Sequence, residues 1–234
     1  MIATKKYLTV IRAIPVLGDV LAHLYGVLKK SEFQNSAQYW NDRYRQGGNS
    51  GAGSYGRLAL FKAEILNKLI RDENYTTFIE FGCGDGAQLS LLDIERYHGI
   101  DVSESAVAHC REKFKDDSTR SFLTPAEYAA APFKADISVS LDVIYHLVED
   151  GVFDTYMRSL FEAASQCVVI YASNEDEKTA DPHVRHRRFT DWVERNMPDW
   201  EQSAFIPNHH PFDWKNPQNT SFANFHIFKP KRSI

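Results

Sequence analysis

Phe78-Ile79-Glu80-Phe81-Gly82-Cys83-Gly84-Asp85-Gly86 decides the fold. The apolar run from Thr76 to Phe81 reads as a buried strand and passes directly into Gly-x-Gly-x-Gly. Glycines without a Cβ let the chain turn sharply and let a ligand approach the backbone. Glu80 stands just before the first glycine, where a carboxylate suits an ammonium group. The next apolar run, Tyr97 to Val102, carries a second acid, Asp101. A carboxylate about 20 residues past such glycines can accept hydrogen bonds from ribose hydroxyls. The dinucleotide pattern Gly-x-Gly-x-x-Gly would put its third glycine at position 87. Ala87 is a permitted substitute, so a nicotinamide cofactor stays open on spacing alone. The acid before the glycines is the better discriminator.

Downstream, Ser103 is placed to cap a helix with Val107, Cys110 and Phe114 inward. Strands are expected over Ser121 to Thr124 and Ala135 to Leu141. Asp150 opens a helix with Phe153, Met157, Leu160, Phe161 and Ala164 inward, and a strand follows from Cys167 to Tyr171. Thr190 is placed to cap a helix through Trp192 and Val193. Two last strands are expected near Ser203 to Ile206 and Ala223 to Phe228. Upstream, Leu58, Phe61, Ile65 and Leu69 share one helical stripe. Strands alternating with helices imply an α/β fold built of βαβ units around a largely parallel sheet. Ligands then bind beyond the carboxyl ends of the strands.

The bulk properties suit one soluble domain. The chain has 234 residues, 43% of them hydrophobic and 25% charged. A net charge of -4, with no long block of one sign, argues against a dedicated nucleic-acid binder. Cys83, Cys110 and Cys167 form no disulfide framework, so a reducing, cytoplasmic setting is expected. Residues 1–35 read as an N-terminal helical extension and 36–234 as the main domain. Leu17, Val20, Leu21, Leu24, Val27 and Leu28 lie on one helical face. That face packs on the core, on a second subunit, or on a membrane surface. Arg12, Pro15, Gly18 and Asp19 interrupt the segment too often for a membrane span.

Glu80-Phe-Gly-Cys-Gly-Asp-Gly86 resembles motif I of the class I, Rossmann-like methyltransferases, and Asp101 resembles their ribose-binding acid. The stretch from Ala135 to Leu147 resembles their fourth strand and active-site loop. Tyr39-Trp40-Asn-Asp-Arg43-Tyr44 with Gly47-Gly48 resembles their N-terminal lid. The resemblance covers residues 36–230. It implies a seven-stranded, mostly parallel sheet with helices on both faces and S-adenosylmethionine as cofactor. It places Glu80, Gly82, Cys83, Gly84, Gly86, Asp101, Val102, Tyr44 and Tyr55 at that cofactor. In style the chain is closest to members encoded beside bacterial or viral surface-glycan genes. A hydroxyl acceptor on a sugar or glycan precursor is therefore expected. Asp142-Val-Ile-Tyr145 lacks the two prolines of many amine methyltransferases, which disfavours base N-methylation. A protein side chain, another small molecule, and a non-catalytic module of the same fold remain as alternatives.

His146 and Asp142 are the candidate catalytic residues. His146 follows the fourth strand, and a neutral imidazole near pH 7 can take a hydroxyl proton. The alternative for His146 is a hydrogen bond that fixes the loop. Asp142 has three readings: it orients His146, binds the cofactor's amino group, or caps the following turn. His183, Arg185, His186, Trp40 and Trp214 are candidate acceptor contacts. The cluster from His183 to Arg188 either neutralises Glu175, Asp176, Glu177 and Asp181 or recognises a phosphate or carboxylate. No Cys/His zinc spacing appears, and no metal is expected.

Overall fold

The computed structural model describes residues 33–177, 179 and 181–231. The expected N-terminal helix falls mostly on residues 1–32 and lies outside them. Seven strands form one sheet: β1 (Thr77–Phe81), β2 (Arg96–Ile100), β3 (Arg120–Leu123), β4 (Ala135–Leu141), β5 (Ala164–Ala172), β6 (Trp200–Ile206) and β7 (Asn224–Pro230). Their order is β3-β2-β1-β4-β5-β7-β6. The first five run parallel, while β7 is antiparallel to both β5 and β6. This is the expected architecture. The order reverses between β1 and β4, so the loops after them diverge and leave a crevice at their carboxyl ends.

Helices cover both faces. α1 (Ser36–Arg45) precedes α2 (Gly56–Glu73), and α3 (Glu104–Lys113) follows β2. α4 (Pro125–Ala130), α5 (Asp150–Glu162) and α6 (Phe189–Asn196) complete the set among the described residues. Strand alternation sends Phe78, Val139 and Tyr171 to one face, where they pack with Phe61, Leu66 and Val107 from α2 and α3. Ile79, Val168 and Ile170 point the other way, onto Phe153, Met157, Leu160 and Val193 from α5 and α6. Each such buried side chain contributes about 1.5–3 kcal/mol.

Ser103 caps α3 as expected, accepting from the Ala106 amide. Three local expectations fail. Thr190 lies inside α6, whose N-cap is Arg188; the Thr190 hydroxyl and amide are taken up by Asn174. Ala164 is buried but opens β5, because α5 ends at Glu162 and the strand starts three residues earlier than its apolar run. The α2 stripe is rotated. Ile65 and Leu69 sit at its margin, and its buried centre is Leu58, Ala59, Phe61, Lys62, Ala63, Leu66 and Ile70. A lysine thus occupies a core position. Among the described residues no helix is long and apolar enough to cross a membrane.

Candidate cofactor and acceptor site

A cavity of about 960 Å³ opens at the carboxyl ends of β1, β2 and β4, lined by Trp40, Tyr44, Lys62, Glu80, Asp101 and His146 among others. That volume is at the upper end for small-molecule sites. The glycine loop makes its floor. Gly82 and Gly84 have φ of 84° and 55°, in the left-handed region. A Cβ on Gly82 would come within 2.3 Å of Val143, and one on Gly84 within 2.3 Å of Ser50. Asp101 holds this loop in shape. One carboxylate oxygen accepts from the Gly84 amide at 2.9 Å and the other from the Ser103 amide at 2.8 Å. Burial raises Asp101 to about 6, against those two hydrogen bonds. Each oxygen keeps a lone pair for a further donor. Val102 is part-exposed and also lines the cavity, as does Cys83. Gly84 and Gly86 act instead through the loop's shape and lie outside the lining.

The lid is fastened over this floor. The Tyr44 hydroxyl pairs with Ser50 Oγ at 2.8 Å, and Ser50 Oγ accepts from the Asp85 amide at 3.1 Å. The Ser50 amide donates back to Asp85 Oδ2 at 3.2 Å. Tyr55 was expected at the cofactor. It is 40% exposed, lies outside the cavity lining and donates its hydroxyl to Asp85. Burial disfavours the charge on Asp85, but hydrogen bonds from Tyr55, Ser50 and Ala87 outweigh it and lower its pKa. At its other end, α1 starts against Glu149, which accepts from the Ser36 amide at 2.9 Å and hydroxyl at 2.7 Å.

Buried charges gather at one end of the cavity. Glu80 is 2% exposed and accepts from the Tyr97 hydroxyl at 2.5 Å. Burial raises its pKa to about 7, against the Tyr97 hydrogen bond and the Lys62 charge. Lys62 donates to Asp142 Oδ2 at 2.7 Å, and the Tyr145 hydroxyl donates to Asp142 Oδ1 at 3.0 Å. Asp142 has φ of 59° and follows β4 directly. Gln88, also in the lining, keeps a buried Oε1 with no hydrogen-bond partner. A buried cation, two acids and an orphaned amide oxygen match the two ends of an amino-acid zwitterion. Asp101 supplies acceptors for a ribose. The residues present therefore fit an S-adenosyl amino acid.

His146 stands on a turn, Ile144–His146, after β4. Its Nδ1 hydrogen-bonds the His183 carbonyl at 3.1 Å. A carbonyl can only accept, so Nδ1 carries the proton and Nε2 keeps its lone pair. Burial lowers its pKa to about 4. Trp40 packs edge-on to the His146 ring at 5.0 Å, and His183 stacks on it at 5.6 Å. His183 in turn stacks on Tyr39 of the lid at 4.5 Å. His146, Trp40 and His183 are thus brought together. Asp142 makes no hydrogen bond to His146 and caps no turn, so its carboxylate partners differ from two of its three readings.

The basic cluster is turned to structure. Arg185 pairs with Asp150 at 2.9 Å and the Val148 carbonyl at 3.0 Å. Arg187 bonds the Leu147 and Val148 carbonyls at 2.6 and 2.7 Å. These arginines pin the loop before α5 and form no salt bridge with Glu175, Asp176, Glu177 or Asp181. His186 bonds the Ser173 hydroxyl at 2.6 Å and packs on Phe222. Trp214 is 86% exposed, with its ring against Phe212, and lies outside the cavity. Among the described residues no group of three or more His, Cys, Asp or Glu is placed to hold a metal.

Sequence reading missed Lys62, Ser50, Asp85 and Tyr145. Lys62 alone had a signal, as a charge interrupting an apolar helical stripe. The others are ordinary loop residues until the chain folds.

Residues 79–169 match a family described as a methyltransferase domain. A small RNA 2'-O-methyltransferase of Arabidopsis thaliana is 26% identical over 187 residues, which cover 71% of this chain and 19% of that protein. The chain thus spans about a fifth of the length of that relative. Magnesium protoporphyrin IX methyltransferase from Synechocystis PCC 6803, with bound S-adenosylhomocysteine, superposes with a TM-score of 0.61 at 15% identity. The match covers 83% of this chain and 98% of that one. The N-methyltransferase NodS from Bradyrhizobium japonicum WM9, also with S-adenosylhomocysteine, gives 0.60 at 16% identity, covering 85% and 100%. The structural likeness shows a methyltransferase fold, and the family match falls on its strands β1 to β5.

Proposed function

We propose that this chain is a class I methyltransferase that transfers a methyl group from S-adenosylmethionine to a hydroxyl of a small carbohydrate acceptor, with His146 as general base. The observation that carries the reading is the His146 tautomer: Nδ1–H is spent on the His183 carbonyl, which leaves Nε2 as a proton acceptor on the cavity wall. When bound, the cofactor supplies an electrophilic sulfonium methyl. Glu80, with the amide oxygen of Gln88, would hold its ammonium group, and Asp101 its ribose. The lid residues Trp40 and Tyr44 exclude water from the reacting atoms. Aligning two reactants in this way supplies several kcal/mol. With the cofactor bound, the acceptor hydroxyl would give its proton to His146 Nε2 as its oxygen takes the methyl group, leaving S-adenosylhomocysteine.

A hydroxyl acceptor agrees with the named chemistry of the plant relative, which methylates a 2'-oxygen. Its RNA substrate is not carried over. An RNA needs free cations along a phosphate track. Here Arg185 and Arg187 are bound to Asp150, Arg57 to His210, and Arg43 to the Asn49 carbonyl. The test is formation of S-adenosylhomocysteine with neutral mono- and oligosaccharides, nucleotide-sugars, short RNAs and amines offered in parallel. O-methylated sugar is the expected product. Turnover on RNA or amines with none on sugars overturns the acceptor class.

A further inference from the structure

A lysine at the centre of an apolar helix face is costly, because a desolvated ammonium loses several kcal/mol of hydration. Lys62 is 1% exposed and lies between Leu58 and Leu66 on the buried stripe of α2. Its Nζ donates to Asp142 at 2.7 Å and lies 5.4 Å from the centre of the Tyr171 ring. An ammonium has three donors, and among the described residues Asp142 is its one hydrogen-bond partner. Its charge also acts on Glu80, which is 2% exposed. One cation therefore serves two acids that line the same cavity. The groups facing Glu80 are otherwise neutral or negative: Tyr97 from β2, Asp101 beyond it, Cys83 in the glycine loop and Tyr156 from α5. Asp142 faces Tyr145 and Tyr171 besides the lysine. The Tyr97 and Tyr145 hydroxyls donate hydrogen bonds to the two anions, and Lys62 is the one cation among the groups named here.

We propose that Lys62 is a positioning residue for the amino-acid end of the cofactor: its ammonium fixes the Asp142 carboxylate at the wall of the cavity that the buried Glu80 also lines, so that the cavity selects a ligand bearing an α-ammonium group. The inference rests on the cofactor reading above. It assigns the selectivity to a residue that acts through the acids beside it.

The test is calorimetry on the full chain with two ligands. S-adenosylhomocysteine carries the amino-acid end; 5'-methylthioadenosine keeps the nucleoside and thioether but lacks it. Wild type is compared with Lys62→Met and with Lys62→Met/Asp142→Asn. The double variant leaves no unpaired ion at position 142 and carries the test where the single variant does not fold. In both, affinity for S-adenosylhomocysteine is expected to fall at least about tenfold, the scale of a hydrogen bond to a charged group, with methylthioadenosine nearly unchanged. In wild type the affinity for S-adenosylhomocysteine falls as pH drops through about 7, where Glu80 takes up its proton. In the variants that midpoint moves to higher pH, because the attraction favouring the anion is gone. A residue that merely fills space would weaken both ligands alike and leave the midpoint in place; either result overturns the proposal. Wild type that binds neither ligand overturns the cofactor reading as well.

Discussion

His146 has a proton budget set by its surroundings. Burial lowers its pKa to about 4, and the His183 carbonyl fixes which nitrogen holds the hydrogen. The neutral ring is the active form of a base, so activity should rise as pH climbs through about 4 and stay level above. With cofactor and acceptor saturating, His146→Ala should lower kcat about 10²–10⁴-fold and leave S-adenosylhomocysteine affinity nearly intact. A variant that retains kcat and the same acid limb would make His146 a loop-fixing residue. Its position was legible, because the residue follows a strand that ends at the ligand edge. Its partner was not. His183 is 37 residues away, and its contribution is a backbone carbonyl that no side-chain pattern encodes. Asp142 shows the same limit. The acid was legible as a site residue, but its bond to Lys62 spans 80 residues and depends on how α2 rotates against the sheet.

The lid helix α1 is tied at both ends, by Ser36 to Glu149 and Val148 and by Tyr44 through Ser50 to Asp85. Glu149 places a carboxylate at the helix's amino end, where the backbone dipole favours it. Removing that charge should free the lid without touching the cavity. Glu149→Gln is expected to speed S-adenosylhomocysteine dissociation by about tenfold, the scale of a charged hydrogen bond. Stopped-flow fluorescence of Trp40 in the lid would follow it, and an unchanged rate would mean that the Ser50–Asp85 end alone holds the lid shut. At this scale the elements were legible and their ends less so. β4 matched its apolar run residue for residue, because tertiary pairing and hydropathy end together there. α6 did not start at a Thr190 cap, because Asn174 already occupies that side chain.

For the whole molecule, pH reaches the fold through buried histidines. His226 on β7 is 4% exposed, with neither ring nitrogen hydrogen-bonded, between Phe189 and Phe205. Burial lowers its pKa to about 4 from 6.5. Between those values the unfolded chain binds a proton that the folded chain refuses, so stability falls as pH drops from 6.5 toward 4. From pH 7 to 5 the loss attributable to His226 is about 2 kcal/mol. His226→Leu should remove that part of the acid sensitivity, read as the difference between urea midpoints at pH 7 and pH 5. An unchanged difference would show that the ring gains a partner in solution. The sheet itself was legible because one loop, Glu80 to Gly86, and the alternation of strands with helices agree on it.

Gly53 and Asp142 carry a consequence for the lineage of this chain. A Cβ at position 53 would sit 2.8 Å from Asp142 Oδ2, and that oxygen is anchored by Lys62. Asp142 itself holds a backbone angle that Asn, Asp and Gly adopt most readily. A side chain at 53 is therefore expected to push the Asp142 carboxylate off Lys62 unless 142 is smaller. The two positions, 89 apart by numbering, are thus coupled through one contact. Sequences of this lineage that keep the acid are expected to keep the glycine, and an alignment in which the two vary independently would overturn that expectation.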